Sequence, residues 1–142
     1  MRVLVDTSLW SLAFRRRKEV QDIQESVMLL EINELIQQSK VVIIGPIRQE
    51  ILSGITVEAQ FEKLKDNLKV FEDLKLTTED YEVAAEFYNQ CRRKGVQGSH
   101  IDFLICAVAH RNNIPIFTTD KDFYLYSKHV DISLYKPHFT FN

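Results

Sequence analysis

Arg2-Val3-Leu4-Val5-Asp6-Thr7-Ser8 opens the chain, and its reading decides the fold. Three consecutive aliphatic residues, two of them β-branched, predict a central strand buried on both faces, as in a parallel sheet covered by helices. The strand ends at once on an acid and two hydroxyls. In open parallel sheets ligands bind beyond the carboxyl ends of the strands, so a carboxylate delivered there stands where chemistry is done. The same residues allow a second reading, in which Asp6, Thr7 or Ser8 caps a helix beginning at Leu9 and Trp10. This segment alone favours neither, and the other acids of the chain must decide.

A length of 142 residues, 45% of them hydrophobic, predicts one domain spanning residues 1–142, with a core that needs no disulfide or metal staple. No apolar run approaches the roughly 18 residues of a membrane span. The run after Arg2 is also too short for a signal peptide, so a soluble, cytoplasmic protein with no membrane partner is expected. Cys91 and Cys106 lack CxxC or metal-ligand spacing and read as buried thiols in a reducing compartment. The net charge of −2 argues against a uniformly basic, nucleic-acid-coating surface. Two local basic clusters remain, Arg15-Arg16-Arg17-Lys18 and Arg92-Arg93-Lys94. Each lies at or just past a predicted helix end, where solvated charges complement the macrodipole.

Outward from the opening strand, Leu9 to Phe14 predicts a short helix and Ile23 to Gln38 a longer one. The latter carries Met28, Leu29, Ile32, Leu35 and Ile36 on the face that packs on the sheet. Val41 to Ile44 is a second buried strand, stopped by Gly45, and Pro46 suits the first position of the next helix. That helix turns Ile47, Ile51 and Leu52 inward with Glu50 beside them, and Gly54 fits its C′ position. Val57, Phe61, Leu64, Leu68 and Phe71 recur at steps of four and three. They predict a long helix whose narrow stripe docks on the domain or on a second copy of it.

Leu74 and Leu76 suggest a short strand, and Thr77 or Thr78 caps a helix with Tyr81, Ala84, Ala85, Tyr88 and Cys91 inward, ended by Gly95. Ser99 starts the next helix, with a core stripe of Ile101, Leu104, Ile105 and Val108. The turn at Asn112-Asn113 leads into a strand at Pro115 to Thr118, and a last strand lies near Ile132 to Leu134. Alternating strands and helices predict an α/β fold with a mainly parallel, four- or five-stranded sheet flanked by helices.

Two strands thus end on acids at the ligand-binding edge, Asp6 and Asp120, and two more acids, Glu50 and Asp102, lie on flanking helices. Taken singly, each has a structural account: Ser99-His100-Ile101-Asp102 has the form of a capping box, and Glu50 reads as a solvated helix residue. Converging, they would repel by roughly 4 kcal/mol for a pair 4 Å apart at an effective dielectric of 20. A fold tolerates that where a cation is expected.

The set resembles the PIN-domain family and, within it, the VapC-type toxins of bacterial toxin–antitoxin pairs. The matching pieces are Val5-Asp6-Thr7-Ser8, Glu50 in Arg-Gln-Glu50-Ile-Leu-Ser-Gly54, Asp102 in Ile-Asp102-Phe-Leu-Ile-Cys-Ala-Val-Ala109, and Thr118-Thr-Asp120-Lys-Asp122-Phe123. They occur in the family's order and span essentially the whole chain. The resemblance implies a metal-dependent endoribonuclease in which Asp6, Glu50, Asp102 and Asp120 are the catalytic and metal positions. Ser8 and Thr118 give hydroxyl support, and Asp122 matches a further acid found in some members. Phe103 and Cys106 stand where smaller or more aliphatic residues are usual, a mild departure that leaves the acids untouched.

Carboxylate-only sites suit hard ions, so the cofactor implied is Mg²⁺ or Mn²⁺, whose bound water attacks a phosphodiester in line. Asp6 and Asp102 would ligate directly, while Glu50 and Asp120 would orient the water or hold a second ion. Arg15, Arg16, Arg17, Arg92 and Arg93 would meet flanking phosphates of the RNA. The partners implied are an RNA substrate, a cognate antitoxin protein and a second copy in a homodimer. The alternative is a catalytically inactive PIN-like module that binds RNA or protein.

Other chemistries lack a residue. A phosphotransfer hydrolase with an aspartyl nucleophile needs a second acid two residues after Asp6, and that position is Ser8. A receiver domain wants a lysine after its last core strand, where this chain has Thr118-Thr119-Asp120. His100, His110, His129 and His138 have no nucleophile elbow near them, which disfavours a Ser/His/Asp hydrolase.

Overall fold

The opening stretch forms β1 (Val3–Val5), all three residues buried, at the centre of a parallel sheet in the computed structural model, which describes residues 1–14 and 22–138. β1 pairs on one side with β2 (Val41–Val42), Val3 facing Val41, and on the other with β3 (Ile116–Phe117), Val5 facing Phe117. The two expected outer strands join as single parallel bridges. Ile43 meets Asp73 beyond β2, and Ile116 meets Leu134 beyond β3. Backbone bonds from Leu74 N to Ile43 O (2.8 Å) and Tyr135 N to Ile116 O (2.8 Å) hold them there. The sheet is therefore three paired strands with one further chain segment bridged to each edge.

Seven helices are seen among the described residues: α1 (Thr7–Phe14), α2 (Ile23–Gln37), α3 (Gly45–Leu52), α4 (Glu58–Leu68), α5 (Thr78–Arg93), α6 (His100–Asn112) and α7 (Lys121–Ser127). Pro46 lies in the first turn of α3, and Gly54 and Gly95 take φ of +90° and +77° just past α3 and α5. Those positive angles are the reason glycine ends these helices. Asn113 closes α6 in the left-handed region with φ 54°, which asparagine tolerates better than most side chains.

A single cluster of buried side chains, with Leu4, Trp10, Ile32, Ile47, Leu68, Phe103 and Phe117 among its members, fills the space between sheet and helices. α6 runs through it with Phe103 to Ala109 all buried. Sequence spacing predicted only a stripe for this helix; α5 packs along it and β3 lies against it, so the opposite face is covered too. None of the described helices is long and apolar enough to cross a membrane.

The inward face of α5 differs from the expected one. Asp80, Ala84, Phe87 and Cys91 are buried, whereas Tyr81 and Ala85 are exposed and Tyr88 is half-buried. The cause is a polar anchor. Asp80 accepts hydrogen bonds from the Thr77 amide (2.8 Å) and, across to α6, from Arg111 Nη1 (2.7 Å), which turns this acid into the interior. Burial pushes the Asp80 carboxyl up, but the Thr77 amide and the Arg111 guanidinium outweigh it and hold it below the ordinary carboxylate value.

Arg111→Ala is expected to cost about 2 to 3 kcal/mol at neutral pH, because it strands a buried charge. A depressed carboxyl gives stability that is present above its unfolded pKa of about 4 and lost as pH falls through the lower folded value. The gap in melting temperature between wild type and variant should accordingly narrow below about pH 4; a gap independent of pH would refute the charge account.

The later part of the stripe from Val57 to Phe71 is spent within the domain. α4 ends at Leu68, which is fully buried; Leu64 packs on the core, and Phe71 lies past the helix with its ring edge-on to Trp10 at 4.8 Å. Arg48 ties this corner together, donating to Leu68 O (2.9 Å), Phe71 O (2.7 Å) and Asp73 Oδ1. Only Val57, at the helix start, is largely exposed among the five. Cys91 and Cys106 are free and buried, and burial pushes both thiols up, as expected of inert core cysteines.

Candidate metal centre

Asp6 follows β1 directly, and the start of α1 settles which of its groups does what. The amides of Leu9 and Trp10 donate to the Asp6 carbonyl oxygen (3.1 and 3.3 Å), so the backbone, and not the carboxylate, meets the helix end. Thr7 does not cap either: its hydroxyl is buried with no partner among the described residues. The Asp6 carboxylate is left to accept from Ser8 Oγ (3.0 Å) and Thr118 Oγ1 (2.8 Å), both at Oδ2, in a residue only 5% exposed.

Those two hydroxyls also accept, Ser8 from the Thr119 amide (3.2 Å) and Thr118 from the Asp120 amide (2.9 Å). The carboxyl ends of β1 and β3 are thereby laced together, with the carboxylate in the seam. Trp10 Nε1 donates to Val5 O (3.0 Å) from beneath and anchors the same turn.

Asp120 is the N-cap of α7, accepting from the Asp122 amide (2.9 Å). Asp102 sits in the first turn of α6, where its amide donates to Ser99 Oγ (3.0 Å) as the capping pattern predicted. Its carboxylate reaches elsewhere: Oδ2 accepts from Tyr126 Oη at 2.7 Å. One carboxylate oxygen from each of Asp102, Asp120 and Asp122 lies within 4.8 Å of the others. Asp122, expected as a supporting acid, thus belongs to this close group, together with two of the four acids given the metal positions.

The charges report the same convergence. Burial raises the Asp102 carboxyl, and the negative charges of Asp6 and Asp120 raise it further, against the Tyr126 and Ser99 hydrogen bonds. Glu50, brought in on α3, is raised by partial burial and then by the charges of Asp6 and Asp102. Asp102 thus stands within the field of both Asp6 and Asp120, and Glu50 within that of Asp6 and Asp102. No lysine, arginine or histidine among the described residues pairs with any of these five acids. An all-oxygen donor set of uncompensated carboxylates is what a hard divalent ion requires.

Of the basic residues, Arg92 and Arg93 occupy the exposed last turn of α5, where Arg92 Nη1 donates to the Tyr88 hydroxyl (3.3 Å). Arg15, Arg16 and Arg17 lie outside the described residues. Tyr126 has no signature in the sequence, because α7 is seven residues long and too short to show a helical period.

Solved structures share this fold. A chain of FitAcB from Neisseria gonorrhoeae is similar with a TM-score of 0.74 at 16% identity, covering 96% of this chain and 99% of that one. VapBC2 from Rickettsia felis, bound to a DNA fragment from their promoter, gives 0.72 at 17% identity over 95% and 98%. VapBC-5 from Mycobacterium tuberculosis, a member of the VapBC family of toxin–antitoxin systems, gives 0.61 at 18% over 95% and 100%. No curated protein sequence matches the chain significantly. Residues 3–128, from β1 to just past α7, match the family model of the PIN domain, and the chain belongs to that family.

Proposed function

We propose that residues 1–142 form one nuclease domain that cleaves RNA endonucleolytically with Mg²⁺ or Mn²⁺, as the toxin of a type II toxin–antitoxin pair. The observation that carries this reading is the gathering of carboxylates from the ends of β1 and β3 and from α3 and α6, which have no cationic partner among the described residues. PIN membership and the VapBC and FitAB neighbours support it.

Asp6 and Asp102 would hold the ion, with Asp122 beside them, and Glu50 and Asp120 would orient the attacking water or hold a second ion. Ser8 and Thr118 keep the Asp6 carboxylate in one orientation by donating to the same oxygen. A divalent ion bound here lowers the pKa of water and neutralises phosphate charge, so no protein nucleophile is needed. Arg92 and Arg93, with Arg15 to Arg17, would receive the flanking phosphates. Purified protein incubated with RNA should cut it only when Mg²⁺ or Mn²⁺ is added after chelation; RNA left intact with either ion would make the chain an inactive binding module.

A cytoplasmic antitoxin protein and a second copy of the chain are the proposed partners. With Leu64, Leu68 and Phe71 of the stripe packed on the core, the apolar face proposed for a second copy is that of Pro46, Tyr81, Ala85, Tyr88 and Ile101, where α3, α5 and α6 meet and Tyr81 is 55% exposed. Tyr81→Glu should shift sedimentation from dimer to monomer with little change in melting temperature. A wild type that sediments as a monomer would remove the dimer.

A further inference from the structure

We infer that Tyr126 is a positioning residue that holds the Asp102 carboxylate toward the metal centre, and that residue 98 is glycine to admit it. The inference rests on the nuclease reading above and adds a residue that the acids themselves do not reveal.

Tyr126 lies fully buried in the last turn of α7, its ring against Phe103 (4.7 Å between centroids) and Phe123 (5.3 Å). A buried phenol needs a hydrogen-bond partner, and the half-buried Asp102 supplies one, Oδ2 at 2.7 Å. The bond runs between a rigid ring with few rotamers and a short side chain with two torsions. It therefore fixes the plane of the carboxylate more than it moves the tyrosine.

Gly98 gives independent testimony. A Cβ built there would stand 2.3 Å from Tyr126 Oη, 2.7 Å from Cζ and 2.9 Å from Phe103 Cε2. The glycines with positive φ are Gly54 and Gly95, so Gly98 is not needed for its backbone angle. What it provides is space, and the space holds the phenol hydroxyl. Gly98 also immediately precedes Ser99, the N-cap of the helix that carries Asp102. The loop that starts α6 is thus the roof over Tyr126, and α7 begins on Asp120 and ends beneath Asp102. Two of the acids are set relative to each other by one short helix.

Second-sphere partners of metal-ligating carboxylates typically contribute 10- to 100-fold in metal affinity. Tyr126→Phe keeps the ring and removes only the hydroxyl. The probe is Mn²⁺ alone, titrated calorimetrically into the full-length chain, with thermal melts in chelator to confirm folding. The expected result is a Kd for Mn²⁺ raised about tenfold in a variant that still unfolds cooperatively.

Gly98→Ala should raise the Kd in wild type and raise it less in the Tyr126→Phe background, where the hydroxyl it would displace is gone and only the contacts with the ring and Phe103 remain; equal increments in the two backgrounds would overturn the role given to Gly98. A Tyr126→Phe variant that binds Mn²⁺ as wild type does would overturn the positioning role and leave the nuclease reading standing. A wild type that binds no Mn²⁺ would overturn both.

Discussion

Asp102→Asn is expected to lower metal-dependent RNA cleavage by about 100-fold or more, a loss of roughly 2.7 kcal/mol of transition-state stabilisation, while the protein stays folded. Amide and carboxylate are nearly isosteric. The side-chain oxygen of asparagine still accepts the Tyr126 hydroxyl now received by Oδ2, and the backbone amide still donates to Ser99. What disappears is a negative charge beside Asp6, Asp120 and Asp122. The variant should therefore melt no lower than wild type in chelator, and a cleavage assay beside a thermal melt separates lost chemistry from lost fold. Near-wild-type turnover would remove Asp102 from the site.

Asp6→Asn should raise the melting temperature of the metal-free protein. The wild-type carboxylate is buried between Ser8 and Thr118 and adds repulsion to Glu50 and Asp102, so its neutralisation relieves about one to a few kcal/mol at moderate screening. Divalent metal should narrow the gap. An ion that binds only the folded state adds RT ln(1 + [L]/Kd), about 1.4 kcal/mol at ten times Kd, and the variant should lose most of that.

Burial and the same repulsion together have a pH signature. Glu50 and Asp102 have carboxyls raised in the folded state, so the native protein binds protons more tightly than the unfolded chain. Metal-free wild type should gain stability as pH falls from neutrality through those raised values, until it reaches the unfolded carboxylate range. Four melts, wild type and variant with and without Mn²⁺, carry the test. A variant that melts lower in chelator and gains as much from metal as wild type does would show that Asp6 acts for structure alone.

How much of this was legible in the chain follows from how far apart the deciding groups lie. The buried first strand, the Ser99 cap, Pro46 in the first turn of α3 and the glycines after α3 and α5 were readable because each depends on residues within three or four positions. The four acids were readable as a set through their resemblance to a family. Their individual residues carried no more weight than a cap or a solvated side chain.

Tertiary structure decided what depends on distant partners. Asp80 turned inward, and took the face of α5 with it, because Arg111 waits 31 residues away. The end of the Val57–Phe71 stripe packs inward because Arg48 and Trp10 receive it. The Asp6 carboxylate avoids capping because a hydroxyl 112 residues on, Thr118, shares the same oxygen with Ser8. Tyr126 meets Asp102 across 24 residues through a gap that only a glycine leaves open. By itself the sequence determined the helix ends, the buried strand and the supply of carboxylates, since these are local. Which face is buried, which oxygen is free and which acid lies nearest the others were settled by packing, since a side chain's surroundings come from the whole chain.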